Sequence, residues 1–195
     1  MIKKWVITGA LAFGLLISLP LSGQAAMGDH TLRPGVWDQD VHELQAKLKA
    51  MGFFDFPITT GYYGPVTKQS VLDFQRTKGI SVDGIAGNQT FSTIKNNLQS
   101  KSMTVSATAY TSECEGCSGV TASGTSLIEY PYAKVIAVDP KVIPMGTVVY
   151  VPGYGYAVAA DTGGGIKGNE IDVYMKDYSK AVNWGRKTLN ISILH

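Results

Sequence analysis

The sequence predicts two domains, a small all-α module of three helices followed by a β-rich barrel of six short strands with one late helix. Apolar residues recur at helical spacing between Val36 and Leu98. After a polar stretch, the period becomes the alternation of strands, and 22 glycines indicate many turns. We therefore place the helical domain at residues 36–98, a linker at 99–103 and the barrel domain at 104–195.

The first 25 residues have the features of a secretory signal peptide. Lys3 and Lys4 precede an apolar run from Trp5 to Leu19, and small residues follow. This run is shorter than the roughly 20 apolar residues that a membrane-spanning helix needs. We place the cleavage site after Ala25 and expect a secreted protein with no stable membrane association once the signal is removed.

The mature chain is electrically neutral. The full sequence has 17 Lys and Arg against 15 Asp and Glu, and removal of Lys3 and Lys4 leaves 15 of each. A neutral chain has no long-range field that gathers nucleic acid, so nucleic acid is not an expected partner. Recognition must come from shaped sites, and we expect a monomer.

The helical domain carries start and stop signals for its helices. Asp38 is placed to cap the first helix and Gly52 to end it, while Pro65 suits the first position of the second helix and Gly79 its far end. The apolar positions are Val41, Leu44, Leu48 and Met51 in the first segment, Val71, Leu72 and Phe74 in the second, and Phe91, Ile94 and Leu98 in the third.

Two loops of this domain repeat one another, because residues 61–67 and residues 84–90 both run Gly-x-x-Gly-x-x-Thr into a helix. With Leu44-Gln45, Met51-Gly52-Phe53, Phe74-Gln75 and Asp83-Gly84-Ile85, this pattern resembles the type 1 peptidoglycan-binding domain family. The resemblance implies attachment to the cell wall. Tyr62 and Tyr63 are the ligand candidates, since aromatic rings stack on sugars; the alternative is a tyrosine packed in the core.

The barrel domain is predicted from short segments bounded by turns. The late helix is expected between Asp177, a plausible cap, and Gly185, which can terminate it. The candidate strands are Met103 to Tyr110, Lys134 to Val138, Thr147 to Val151, Tyr156 to Ala160, Ile171 to Met175 and Thr188 to Leu194.

The sequence lacks the residues that several types of cell-wall enzyme need for catalysis. The mature chain has only His30, His42 and His195, which is too few for a clustered zinc site, and we expect no metal and no cofactor. Cys114 and Cys117 have only the terminal His195 in their own domain, which argues against a cysteine nucleophile. In an exported protein their expected state is a local disulfide, with a metal pair or a redox motif as the alternative.

Three aspartates remain as candidates for catalysis. Asp139 stands before Pro140, Asp161 before a Gly-rich loop, and Asp172 between Ile171 and Val173 in a strand. If Asp172 points inward, desolvation raises its pKa toward the range of a general acid. Each aspartate alone is more often a turn or cap residue, but the three together favour a site.

The same residues resemble the 3D domain family, named for three aspartates, and more distantly the catalytic barrel of membrane-bound lytic transglycosylase A. The resemblance covers Val105 to Ile193 and implies a double-psi β-barrel in which Asp172 corresponds to the catalytic aspartate. The motifs that carry it are Ala107-Thr108-Ala109-Tyr110, Thr121-Ala122-Ser123-Gly124, Ala137-Val138-Asp139-Pro140, Ile143-Pro144-Met145-Gly146-Thr147, Ala160-Asp161-Thr162-Gly163-Gly164-Gly165-Ile166-Lys167-Gly168 and Ile171-Asp172-Val173-Tyr174.

The resemblances imply a secreted, wall-associated protein that cuts peptidoglycan glycan strands as a lytic transglycosylase. One carboxyl group suffices for that reaction, because the sugar's own 6-hydroxyl attacks the anomeric carbon. The alternatives are a hydrolase that uses two of the carboxylates, and a wall-binding protein without catalysis. The residues proposed to hold the sugar are Tyr110, Thr121, Ser123, Gly163, Gly164 and Lys167.

Overall fold

The computed structural model describes residues 30–112 and 118–195. The predicted signal peptide and the Cys114 and Cys117 pair lie outside these residues. Three helices come first, six strands then close a barrel, and a fourth helix precedes the last strand. The elements are α1 Gln39–Ala50, α2 Pro65–Lys78, α3 Asn88–Asn97, β1 Ser100–Tyr110, β2 Val135–Val138, β3 Val148–Val151, β4 Gly155–Asp161, β5 Glu170–Tyr174, α4 Tyr178–Trp184 and β6 Lys187–Leu194.

The predicted helix ends are confirmed at several positions. The Asp38 side chain caps α1 by accepting a hydrogen bond from the Asp40 amide, and Pro65 is the first residue of α2. Gly79 ends α2 in the left-handed conformation, with φ of 66°. Asp177 caps α4 through the Lys180 amide. Local sequence therefore determines where these helices begin and end.

One buried glutamine holds each of the two repeated loops. The Gln45 side chain accepts hydrogen bonds from the amides of Thr60 and Gly61 and donates to Tyr62 O and Thr67 Oγ1. Gln75 does the same in the second loop, where it accepts from the amides of Asp83 and Gly84 and donates to Ile85 O and Thr90 Oγ1. The two loops that repeat in sequence therefore also repeat the same set of glutamine hydrogen bonds.

The strands close the barrel in the order β1-β5-β2-β4-β3-β6. The pairs β1·β5 and β2·β4 are parallel, and the other four pairs are antiparallel. Alternate residues of every strand fill the interior, among them Val105, Ile136, Val149, Ala159, Ile171 and Ile191. The bounds of the six strands lie within one residue of the predicted ones, apart from the start of β1, which comes three residues earlier than predicted.

The linker predicted at residues 99–103 is wrong, because β1 already begins at Ser100. Ser100 to Met103 pair with Leu194 to Ile191 of β6, and the Gln99 amide bonds His195 O at 2.9 Å. The polar composition of this segment masked a strand whose partner lies more than 80 residues away. Backbone pairing with β6, and not side-chain burial, makes it a strand.

The helical module packs directly on the barrel. Ile58, which is fully buried, shares a cluster with Leu127 and Val135 of the barrel domain. Ala46 of α1 contacts Val148 and Leu194 in a second cluster. The two domains therefore share an apolar interface. Within the described part of the chain, no helix has the length and hydrophobicity needed to cross a membrane.

Candidate active site

Asp161 and Asp172 lie in one row across three strands. Asp172 of β5 pairs with Ala137 of β2 on one side and with Thr108 of β1 on the other. The β2·β4 register shifts after Ile136, so that Ala137 pairs with Asp161. Because a bulge re-aims the residues that follow it, this shift brings Asp161 to the same face of the sheet as Asp172.

This face is the outside of the barrel. Ile171 and Val173 fill the interior, and side chains alternate along a strand, so Asp172 points outward. Asp172 therefore does not point into the barrel interior, yet its carboxyl group is desolvated by burial. Asp172 is half-buried, and its Oδ1 is shielded from solvent with no hydrogen-bond partner among the described residues.

The surroundings of Asp172 favour its protonated form. Burial raises the pKa of its carboxyl group above the ordinary value, and the charge of Asp161 acts in the same direction. The Thr108 hydroxyl and the Arg186 charge oppose this rise. A carboxyl group with a raised pKa and an unpaired oxygen has the properties of a general acid.

Asp161 has the opposite surroundings. Its Oδ1 accepts hydrogen bonds from the amides of Ala122 and Thr162, at 2.9 and 2.8 Å, and its Oδ2 accepts one from Tyr110 Oη at 2.8 Å. Burial, followed by the nearby Asp161, raises the pKa of Tyr110 far above its usual range, so the hydroxyl remains a donor. Asp161 thus accepts three hydrogen bonds and links β1, the 118–126 loop and the end of β4.

Asp139 does not belong to this row. It follows β2, where its Oδ1 accepts from the Lys141 amide at 3.0 Å and its Oδ2 from the Gly168 amide at 2.9 Å. These backbone hydrogen bonds, that of Gly168 first, lower the pKa of Asp139. Asp139 therefore pins the loop after β4 in the way a turn residue does.

The loop of residues 118–126 covers the end of β4. The Thr121 and Ser123 hydroxyls lie 2.9 Å apart, and the Ser123 amide bonds Ala160 O at 3.0 Å. Thr121 is buried and also accepts from the Thr125 amide, whereas Ser123 is exposed. Of the two, only Ser123 presents its side chain to solvent near Asp161.

The Gly-rich loop after β4 contains the other predicted sugar contacts. A Cβ at Gly163 would lie 2.8 Å from Ile166 Cγ1, so a side chain there would require Ile166 to move, whereas Gly164 faces open space. Lys167 is exposed, and its charge acts on Asp139. No described contact links Gly163, Gly164 or Lys167 to Asp172.

The two adjacent tyrosines of the first repeated loop have different environments. Tyr62 is partly exposed and stacks on Trp37, with ring centroids 4.8 Å apart, and Trp37 is 70% exposed. Tyr63 is fully buried and donates its hydroxyl to Gly84 O at 2.9 Å. Tyr63 is a core residue, and the aromatic surface consists of Trp37 and Tyr62.

Three residues of the candidate sites were not identified from the sequence alone. Thr108 was only part of a motif, and its place beside Asp172 depends on the β1·β5 register. Arg186, just before β6, bonds Ser106 of β1 and Glu170 of β5, and its charge acts on Asp172. Trp37 stands just before the Asp38 cap, and only its 70% exposure in the structure marks it as a candidate ligand contact.

Among residues 30–112 and 118–195, one group of side chains has ligand atoms close enough for a metal ion. Potential ligand atoms of His30, Asp38 and Asp40 all lie within 4.8 Å of one another. His30 lies 3.7 Å from Asp38 and 3.6 Å from Asp40, which is the geometry of surface ion pairs.

Comparison with known families confirms both resemblances. Residues 38–94 match the family model described as "Putative peptidoglycan binding domain", and residues 134–195 match that described as "3D domain". Each match covers less than a third of the chain. The second match begins at Lys134 and covers β2 to β6, whereas β1 and the 118–126 loop precede it.

Two curated relatives come from Bacillus subtilis strain 168. The putative cell wall shaping protein YabE is 52% identical over 66% of this chain and 30% of its own length. The cell wall-binding protein YocH is 58% identical over 53% of this chain and 36% of its own length. The chain therefore spans about a third of each relative. The structure of MltA from E. coli is 23% identical over 39% of this chain and 27% of that chain, with a TM-score of 0.32.

Proposed function

We propose that this protein is exported, binds peptidoglycan through its helical domain and cleaves glycan strands with its barrel as a lytic transglycosylase. The proposed boundaries are residues 36–98 for wall attachment and 104–195 for cleavage, with β1 extending back to Ser100. The barrel is proposed to be a double-psi barrel, which its two parallel pairs, β1·β5 and β2·β4, support.

The observation that carries the proposal is the state of Asp172. Its Oδ1 is buried without a partner, and burial raises the pKa of the carboxyl group. An unpaired buried oxygen is costly on a charged carboxylate and less so on a neutral acid. Asp172 is therefore suited to hold a proton until a glycosidic oxygen approaches.

The proposed reaction uses Asp172 twice. As a general acid it protonates the leaving glycosidic oxygen, and as a base it then accepts the proton of the sugar's 6-hydroxyl. The 6-hydroxyl attacks the anomeric carbon of its own ring, so proximity replaces an activated water. Asp161 stays in place through its three donors and holds negative charge near the reacting carbon.

The aromatic surface of Trp37 and Tyr62 is the proposed sugar platform of the helical domain. The rings face a cavity of about 190 Å³ that is also lined by Phe54, Thr60 and Tyr130. Aromatic rings contact the apolar faces of sugars over a large area. Since Tyr130 belongs to the barrel domain, this platform lies beside the junction of the two domains.

A second candidate function is wall binding without cleavage. It is favoured by YocH, which is named a cell wall-binding protein and is 58% identical over half of this chain. Both candidates predict association with the wall, and only one predicts soluble products. The fold alone does not distinguish wall binding from glycan cleavage.

The test is the release of soluble fragments from purified peptidoglycan by the mature protein. Wild type releases fragments, and Asp172→Asn folds and binds but loses release by about 10² to 10⁴, the usual contribution of general acid and base catalysis. Asp55→Asn, which makes the same charge change at an exposed position of the helical domain, retains release. If neither wild type nor Asp55→Asn releases fragments, wall binding is the function.

A further inference from the structure

A cavity of about 830 Å³ lies where α1 meets the barrel domain. Its walls include Gln39 and His42 of α1 and, from the barrel domain, Lys134, Tyr154, Lys176 and Lys180. Asp161 and Asp172 are not among its lining residues. The cavity is therefore separate from the proposed catalytic row, and both domains build it.

Among the described residues, Lys134, Lys176 and Lys180 of this cavity form no ion pair with a carboxylate, although the charge of Lys180 acts on Asp177. Lys134 Nζ donates to Tyr154 O at 3.2 Å and lies 4.3 Å from the centroid of the Tyr154 ring, and Lys176 Nζ lies 4.7 Å from the Tyr132 centroid. In residues 30–112 and 118–195, the ion pairs with carboxylates are formed by other basic residues, namely His30, Lys47, Arg76 and Arg186.

The one carboxylate on the cavity wall is already engaged. Asp177 Oδ1 accepts from Ser179 Oγ at 2.7 Å and from the Lys180 amide at 3.2 Å, which is its capping role in α4. His42 contributes no positive charge at neutral pH, because burial lowers its pKa to about 4. The cavity therefore has an excess of positive charge that comes from its lysines.

The position of Lys134 is electrostatically unfavourable for its positive charge. It is only partly exposed, and burial, followed by repulsion from Lys180, lowers its pKa. Two ammonium groups that repel each other beside a cavity are stabilised when an anion enters, because the anion restores the lost Coulomb energy. The arrangement therefore favours a bound negative group.

We propose that this junction cavity binds an anionic group, a carboxylate or a phosphodiester, held between Lys134, Lys176 and Lys180. Peptide carboxylates and polymeric phosphodiesters are the two sources to distinguish. The exposed rings of Tyr132 and Tyr178 offer contact area for the rest of such a ligand. The choice of wall-derived probes rests on the proposed function, whereas the anion site itself does not require cleavage at Asp172.

The test is calorimetric titration of the mature protein with three soluble probes. These are a muramyl peptide with free carboxylates, a glycerol phosphate oligomer and, as an uncharged control, chitotetraose. We expect an anionic probe to bind, and the triple variant Lys134→Gln/Lys176→Gln/Lys180→Gln to weaken that binding at least tenfold. Lys101→Gln, an exposed lysine outside the cavity, should change it less than twofold.

Loss of the partly buried Lys134 could prevent the triple variant from folding. The double variant Lys176→Gln/Lys180→Gln avoids this problem, because Lys176 and Lys180 are both exposed. The anionic probe that binds in a lysine-dependent way identifies the source, and binding of both supports a general anion site. Binding to neither anionic probe, or equal binding to the double variant and Lys101→Gln, overturns the proposal. Fragment release from wall is measured separately, so failure here leaves the cleavage test unaffected.

Discussion

Asp161 and Asp172 stand on opposite sides of Ala137, each paired with it across one strand boundary. With about 4.8 Å between neighbouring strands, their Cα atoms are about 10 Å apart. The Ala137 side chain between them is buried. Asp161 accepts hydrogen bonds from three donors and Asp172 has an unpaired oxygen, so we infer different roles for the two carboxyl groups.

Tyr110→Phe tests the anchoring of Asp161. The change removes a 2.8 Å hydrogen bond to a carboxylate, so we expect the free energy of unfolding to fall by about 2 kcal/mol and fragment release to decrease. Urea unfolding measures the first effect. The control is Tyr150→Phe, whose hydroxyl has no hydrogen bond in the described structure and should change little. Equal unfolding free energies for the two variants would show that Tyr110 does not anchor Asp161.

The sequence predicted the strands well because each one alternates or is bounded by turns, as with Lys134 to Val138 against the observed β2. It could not predict the row of Asp161 and Asp172. That row depends on the register shift after Ile136, which is a relation between strands distant in sequence. The sequence grouped Asp139 with the other two aspartates, but its amide partners at Lys141 and Gly168 appear only in the folded chain.

Gln75→Ala tests the hydrogen-bonded repeat. The variant leaves buried loop groups without partners, including the Gly84 amide, and we expect a loss of about 3 kcal/mol in the free energy of unfolding. Gln69→Ala is the control, because Gln69 lies on the same helix but bonds only the exposed Asp73. Chemical denaturation compares the two. The repeat has no structural role if both variants unfold at the same denaturant concentration.

Trp37→Ala and Tyr62→Ala test the aromatic platform. Each should weaken binding to purified sacculi by about tenfold, which corresponds to a loss of about 1.4 kcal/mol of ring contact. Tyr63→Phe should lower stability, since it loses the bond to Gly84 O, but leave binding unchanged. Co-sedimentation over a range of sacculi concentrations gives the affinities. Undiminished binding by the Trp37→Ala/Tyr62→Ala double variant would remove the platform from the proposal.

His42 should make stability depend on pH. Burial, followed by the charge of Lys134, lowers its pKa from 6.5 to about 4, so the unfolded chain binds the proton before the folded one does. The contribution of the neutral His42 ring to the free energy of unfolding is complete above pH 6.5. It decreases by roughly 3 kcal/mol as the pH falls toward about 4. The difference in unfolding free energy between wild type and His42→Gln, measured at pH 7 and pH 4.5, should shrink on acidification. A constant or growing difference would contradict the neutral state of the buried ring.

The most direct test of the central claim is the chemistry of the ends that the protein leaves on glycan strands. Mass spectrometry of fragments released by wild type should find 1,6-anhydro sugar ends, one water lighter than hydrolysed ends and resistant to borohydride reduction, and Asp172→Asn should release none. Reducible ends would instead indicate hydrolysis by the Asp161 and Asp172 pair. Release of the same fragments at the same rate by Asp172→Asn would contradict the assignment of catalysis to Asp172.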